Sequence, residues 1–597
     1  MPYHGLTPHL APFLPYVEKA NSSDLRRAWR MPDKLSRPID LSTLHAWLRT
    51  CDAAHGDHCR ANSNPLLTTT DNPNDHFPTW LVDVRRRCIV RVTSSPQIYV
   101  ALSYVWGKAE CISLTTATTP HLLVTNALSD TTTLPRTLRD AMDLVSALGL
   151  PFLWIDRLCI VQDDQAEKHA QIKAMGSIYA HAYFTLVAAQ SHDASGPLAS
   201  RPVMHIMSID LLRTAWFSRG WTFQEFLFSP RKVVFHNNTL NWECHCASFH
   251  ETQHLLPLPA NVTTPSCTRP PGTDIEAYPN FHRYARLAAL FTPRHLSFPE
   301  DVLDAFAGAA AAFARVFEGG LVTGLPAMVF DAALLWQPYH PLRRRKAVLV
   351  EEAEAVLPSW SWVSWQGEVH SETWASGWDY LGRFGEEEDG GRWVTASTVE
   401  WSHSRTVGGD RAPVRVAVDE FRRRDWGEVL PEGWRKVLDE NGDGGYFVHD
   451  SLPGCEFRHP IPLGARLGHA FRSRYLHCRT RHAHFRVTSK PFRSFAGRCA
   501  VVVLEGEDGC FAGCLRLNDL EQDVRGSIGA EERYHLIELS SGSWSLPGWT
   551  KKGGLYEFYN VMWVEWRDGV ASRLAVGRVD KRVWEETAVE EIDFTIG

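Results

Sequence analysis

The chain has 597 residues, of which 44% are hydrophobic and 22% charged, with a formal net charge of −7. This is globular composition, which excludes wholesale disorder, and at ~150 residues per domain it suggests about four domain-sized pieces. A sequence-blind grip on nucleic acid needs a basic excess that the chain lacks.

No apolar run reaches the ~18 residues of a membrane span. The longest candidate, Leu325 to Trp336, is interrupted by Pro326 and Asp331. The N-terminus has no basic stretch followed by an apolar core, so a cytoplasmic chain is expected. Thirteen Cys is far below disulfide-scaffold density and points to reduced thiols. The acceptor-type sites at Asn21, Asn237 and Asn261 are then expected to carry no glycan. Twenty-three Trp, with Trp360, Trp362 and Trp365 nearly alternating, point to large side chains packed in cores.

Residues 1–95 read as a helical lead-in, with a short helix at Leu41 to Arg49 followed by Cys51, His55 and Cys59. Asn62 to Asn74 is polar and reads as a loop. Ile98 to Trp106 has strand composition and ends at Gly107. Pro135 opens a helix whose apolar residues are Leu138, Ala141, Met142, Val145 and Leu148, with Gly149 as its stop. Phe152 to Ile155 is continuously apolar, as in a strand buried on both faces. Asp163 and Asp164 can cap the next helix, whose apolar face is Ile172, Met175, Tyr179 and Ala182. Tyr183 to Ala189 reads as a strand, 216–227 as a helix and Lys232 to Phe235 as a strand. Strands alternating with helices argue for a doubly wound parallel sheet over residues 96–250. Residues 251–275 read as a Pro/Thr-rich linker, 276–455 as a helical and Trp-rich region with Gly-rich acidic loops at 386–391 and 439–445, and 456–597 as β-rich.

In open parallel sheets ligands bind outside the carboxyl ends of the strands. That rule selects Ser103, Tyr104, Trp106 and Gly107 after the first strand, and Asp156 and Arg157 after the second. Tyr104 and Trp106 offer rings for stacking or, equally, for core packing. Asp156 is a carboxylate at the end of an apolar strand, where its pKa can be perturbed or where it can cap a helix. In the segment Ser218 to Glu225, Trp221 and Glu225 are four apart and share a helix face. A carboxylate beside a large ring suits acid–base tuning; the alternative is an amphipathic helix with Glu225 paired to Arg219 or Arg231.

These segments resemble a known family. Tyr99-Val-Ala-Leu-Ser-Tyr-Val-Trp-Gly107 resembles the first motif of the HET (heterokaryon incompatibility) domain of filamentous fungi. Leu134-Pro-Arg-Thr-Leu with Leu153-Trp-Ile-Asp-Arg-Leu-Cys-Ile-Val-Gln-Asp-Asp164 resembles the second, and Ser218 to Arg231 the third. Trp47 with Cys51, His55 and Cys59, Pro358 to Trp362, and Tyr559 to Met562 also look like such proteins. Arg157 departs from the pattern, where a small residue is expected. The resemblance implies a role in fungal allorecognition, regulated cell death or defence. The HET domain is in turn similar to TIR domains, which implies a TIR-like sheet. In catalytic TIR domains a Glu at the position of Glu225 supports cleavage of the nicotinamide–ribose bond of NAD. By that analogy Glu225 is the catalytic carboxylate. Tyr104, Trp106 or Trp221 stack on a base, and Arg157 or Arg219 meets the pyrophosphate. NAD is then substrate rather than cofactor, and the active form is expected to be a homo-oligomer. The alternative is a non-catalytic scaffold that self-associates or recruits an incompatibility partner.

No G-x-G-x-x-G fingerprint follows a strand and no G-x-x-x-x-G-K-[ST] loop is present, which argues against a dehydrogenase or an NTPase switch. Cys51, His55 and Cys59 could form a zinc site with Cys244, His245, Cys246 or His250. The spacing matches no standard zinc module, so buried thiols are expected and no metal is assigned. Asp439, Asn441, Asp443 and Gly444 match the start of a calcium loop, but Asp450 in place of Glu and Pro453 favour a solvated turn. Cys159 follows an apolar run and reads as buried rather than nucleophilic. Arg343 to Lys346 reads as a solvated basic patch or a nuclear localisation signal.

Overall fold

A computed structural model describes residues 41–59, 77–93, 97–190, 194–195, 211–236, 239–251, 278–346, 357–371, 392–424, 426, 429–438, 445–463, 469–487, 492–493, 499–519, 533–546 and 554–597. The linker at 251–275 lies outside these residues apart from Glu251, and the loops at 62–74 and 386–391 lie wholly outside. The same holds for Asp439, Asn441, Asp443 and Gly444 of the calcium-loop match and for Asn21, Asn237 and Asn261. The chain forms two compact units, residues 1–274 with 304–309, and residues 275–303 with 310–597. Among the described residues no helix is long and apolar enough to cross a membrane.

The first unit is built on an eight-stranded sheet. Its strands are β1 (Trp80–Asp83), β2 (Cys88–Arg91), β3 (Tyr99–Ser103), β4 (Phe152–Trp154), β5 (Thr185–Ala188), β6 (Arg231–His236), β7 (Thr239–Cys244) and β8 (Ser248–His250). They run in the order β2-β1-β4-β3-β5-β6-β7-β8. The β4-β3-β5-β6 core is parallel. Both flanks are antiparallel, so the sheet is mixed rather than purely parallel. The expected alternation of strands and helices between residues 99 and 236 is present in this core. All five residues of β3 are buried, as a central parallel strand covered on both faces requires.

Two strands fall where a helical lead-in was expected. β1 and β2 are four residues each, too short to show a period, and their turn carries no Gly or Asn. Asp83 instead accepts the backbone N–H groups of Arg85 and Arg86, and Arg87 adopts φ +51°. The helix α1 (Leu41–Thr50) precedes them.

The helices α2 (Arg136–Ala147) and α3 (Gln165–His181) lie where their apolar periodicity places them. At the start of α3 the Asp164 carboxylate accepts from Ala166 N and Glu167 N, both at 3.0 Å. Asp164→Ala should therefore cost about 1 kcal/mol in denaturant unfolding, and Asp164→Asn much less. Equal losses from both variants would remove the capping explanation. The helix expected at 216–227 is shorter: only α4 (Thr222–Phe228) is helical. The Thr222 hydroxyl takes up the carbonyls of Trp216 and Arg219, which closes the preceding residues into turns.

The second unit is dominated by an eleven-stranded, mostly antiparallel sheet. The β-rich C-terminal expectation holds, and the sheet also recruits Arg392–Ala396, Trp401–Ser404 and Ala412–Val414 from the region read as helical and Trp-rich. Trp336, Trp360, Trp362 and Trp365 are buried. Each of their indole N–H groups finds an oxygen: Trp360 O (2.9 Å), Arg474 O (3.0 Å), Tyr284 Oη (2.7 Å) and Ser359 O (3.0 Å) respectively. The basic patch is a correction. Arg345 is buried and donates to the carbonyls of Thr292 and Arg294, while Arg344 donates to Leu357 O and lies over the Trp365 ring. Two of the four basic residues are thus internal props whose donors are spent on backbone carbonyls.

Candidate functional site

The parallel core brings the carboxyl ends of β3 and β4 together, and α4 carries Glu225 in under β3. Ser103, the last residue of β3, is fully buried. Its hydroxyl donates to Glu225 Oε2 and accepts from Trp216 Nε1 at 2.7 Å. The Tyr179 hydroxyl donates to Leu102 O at 3.1 Å and lies against the same carboxylate. Glu225 is only 4% exposed. Burial pushes its pKa up to about 7, against the opposing pull of Arg219 and the Ser103 hydrogen bond.

The second carboxylate, Asp156, forms the rim. Trp106 Nε1 donates to its Oδ2 at 2.7 Å and Arg157 N to its Oδ1 at 2.7 Å. Burial raises its pKa too, countered chiefly by Arg219. Arg219 anchors itself to Tyr104 O, and its charge acts on both carboxylates. The Tyr104 and Tyr179 hydroxyls are pushed well above their ordinary range by burial, so both stay protonated. Arg157 stands over the Trp106 ring, 5.0 Å from its centroid, and donates to Ser113 Oγ at 2.9 Å. Gly107 takes φ +60°, a turn that lets the chain leave β3 sharply.

The structure therefore gathers Ser103, Tyr104, Trp106, Asp156, Arg157, Arg219 and Glu225 around the carboxyl ends of β3 and β4. Trp221 sits at the start of α4, half-buried against the core. Arg231 does not pair with Glu225; it is bound to Asp52 at 2.8 Å. Cys159 is buried, with its thiol accepting from Ile155 N. Two residues outside the sequence-derived set complete the network, Trp216 and Tyr179. Tyr179 was visible only as one more apolar helix position, and nothing in the sequence marks which indole reaches a serine. Another hollow, of about 370 Å³, is lined by Arg87, Arg136, Arg139, Asp140 and Asp143. Both of its carboxylates already face an arginine, Asp143 with Arg87 and Asp140 with Arg136.

Elsewhere in the unit the ligand atoms of Cys51, His55, Cys59 and Cys244 converge.

Residues 99–209 match the family model described as heterokaryon incompatibility protein (HET). That span contains the first two motifs, while the third lies beyond its end. Heterokaryon incompatibility protein 6, OR allele, of Neurospora crassa is 36% identical over 105 residues, covering 16% of this chain and 14% of that protein. The chain thus spans about one-seventh of the length of this relative. No solved structure matches the chain. The first two motifs, the strand ends they build and these matches agree: the chain carries a HET domain at residues 99–209.

Proposed function

We propose that the chain acts in heterokaryon incompatibility, in the cytoplasm, and that its HET domain hydrolyses the nicotinamide–ribose bond of NAD or a related dinucleotide. The observation that supports this reading is the pairing of two raised-pKa carboxylates, Glu225 and Asp156, about one arginine at the carboxyl ends of parallel strands. The TIR analogy supplies the reaction. The C1′–N bond breaks with its electron pair leaving on nicotinamide, water adds to C1′, and a proton is released. The sugar passes through an oxocarbenium-like state that an ionised Glu225 stabilises or orients through the ribose hydroxyls. Trp106 and Trp221 supply stacking faces, and Arg157 and Arg219 supply pyrophosphate contacts. Because Glu225 is almost fully covered, substrate entry needs the Arg219–Trp106 rim to open, and self-association is the step assigned to open it.

That same burial favours a second reading, in which Glu225 is a structural hydrogen-bond hub and the domain is a non-catalytic scaffold for an incompatibility partner. Nicotinamide release from NAD separates the two, measured with wild type beside Glu225→Gln and with oligomeric state recorded in the same samples. Release by wild type alone supports the enzyme. Equal release by both removes Glu225 from the site. No release from a well-folded oligomer favours the scaffold.

A further inference from the structure

Cys51, His55, Cys59 and Cys244 each offer one ligand atom, and all four atoms lie within 4.8 Å of one another. Cys244 Sγ is 3.4 Å from His55 Nδ1. None of the three cysteines is in a disulfide. All four residues are buried, with Cys51 and Cys59 fully so. A tetrahedral zinc with Zn–S bonds of ~2.3 Å places its sulfurs roughly 3.8 Å apart, so a small inward shift closes this set around an ion.

The backbone is bent to make this possible. On a straight α-helix three residues at four-residue spacing would spread over ~12 Å, too far for one ion. Here α1 ends at Thr50, Cys51–His55 continue as a π-helix, and Gly56–Cys59 tighten into a 3-10 turn. Gly56 makes the change of direction at φ +50°, a conformation that favours glycine. π-turns of this kind are frequent at functional positions. The fourth ligand comes from the end of β7, 189 residues after His55.

A second observation points the same way. The Arg231 side chain is 1% exposed beside this cluster, where its charge acts on Cys51. One of its nitrogens binds Asp52, while Nε and Nη2 are buried with no hydrogen-bond partner. A buried guanidinium with spare donors is costly next to neutral thiols. It is well placed next to three thiolates on a divalent ion, a centre with a net negative charge.

We propose that Cys51, His55, Cys59 and Cys244 bind one structural Zn²⁺ that fastens the α1 segment to the end of β7 in the eight-stranded sheet. Three thiolates and one imidazole are a borderline-soft set that suits zinc. With four protein ligands and no open position, the site is structural rather than catalytic. Cys246 lies alongside, its sulfur 3.5 Å from Cys59 Sγ, but it is held in a disulfide, against the expectation of reduced thiols, and is not a ligand candidate.

The test uses the full chain, expressed with zinc and freed of loose metal. Elemental analysis should find about one zinc per chain, falling at least fivefold in Cys244→Ser and Cys59→Ser. Cys514→Ser, at an exposed position in the other unit, should leave it unchanged. Should the serine variants fail to fold, His55→Cys keeps four donors and should retain the metal. Refolding wild type with Co²⁺ should give the visible bands and thiolate charge-transfer absorption of tetrahedral cobalt. Folded wild-type protein with no metal and no such cobalt spectrum would overturn the proposal. So would zinc that persists in Cys244→Ser, or Cys51, Cys59 or Cys244 recovered in disulfides by mass spectrometry.

Discussion

Glu225→Gln should be inert towards NAD and, above neutral pH, more stable than wild type. The two effects have one cause. Burial raises the Glu225 pKa from the ordinary 4.5 to about 7 in the folded chain. Between those values the folded state holds a proton that the unfolded state has released. The stabilisation tied to that proton is complete below about pH 4.5 and is lost as pH rises through 7. Above pH 7 the folded chain carries a buried charge whose cost approaches about 3 kcal/mol, the free-energy equivalent of the shift. Glutamine keeps the shape and can still accept from Ser103, but never ionises. Its melting temperature should match wild type near pH 5 and exceed it at pH 8. Chemistry runs the other way. If the ionised carboxylate stabilises the oxocarbenium-like state, its removal should lower nicotinamide release by a hundredfold or more, in line with the loss of a preorganised electrostatic partner. Wild-type activity should then rise with pH through about 7. A thermal-shift series from pH 5 to 8 on both proteins checks the first claim, and the assay in the same buffers checks the second. A melting-temperature difference independent of pH would show that Glu225 does not titrate there.

The parallel core could be read from the sequence because its elements are long or periodic enough to leave a pattern. α2 shows its buried Leu138, Ala141, Met142 and Val145 at helical spacing, and β3 and β4 show unbroken apolar runs that only a doubly covered strand tolerates. The strand-end rule then located Ser103, Asp156 and their neighbours with no knowledge of the loops. What escaped was set by contacts between segments far apart in the chain. The β1–β2 hairpin is held by an aspartate binding two backbone amides, a device invisible to periodicity. Trp216 and Tyr179 reach Ser103 and Glu225 across elements, and their composition resembles any core aromatic. The Cys51-His55-Cys59 spacing was visible, but it matches no standard zinc module, and a straight helix would spread the three over ~12 Å. Only the π-turn and Gly56 bring them together, and only the sheet delivers Cys244. The same limit hid the fate of Arg344 and Arg345, where charge suggested solvent and backbone carbonyls from distant segments took up the guanidinium donors instead.

The largest single loss of stability in the second unit should come from Arg573→Ala. Arg573 is 1% exposed on the strand Val570–Asp580. Its guanidinium lies 3.5 Å from the centroid of the Trp336 ring, and donates to Leu334 O at 2.9 Å and to Trp336 O. Its backbone N–H donates to Ser359 Oγ at 3.0 Å, beside the Trp360–Trp365 cluster. No carboxylate pairs with it among the described residues, and burial holds its pKa well below the usual arginine range. Truncation to alanine leaves a cavity against Trp336 and two buried carbonyls without donors, a combination that costs about 4 kcal/mol. Arg573→Met refills most of the volume and removes the buried charge, so its loss should be about half as large. Hydrogen exchange on peptides spanning 330–336 and 570–580 reads the effect locally, without requiring the two units to unfold together. Faster exchange in Arg573→Ala than in Arg573→Met is the expected order. Equal acceleration would assign the loss to the two carbonyls rather than to the cavity. Unchanged protection in Arg573→Ala would mean that this arginine does not support the tryptophan cluster it is packed against.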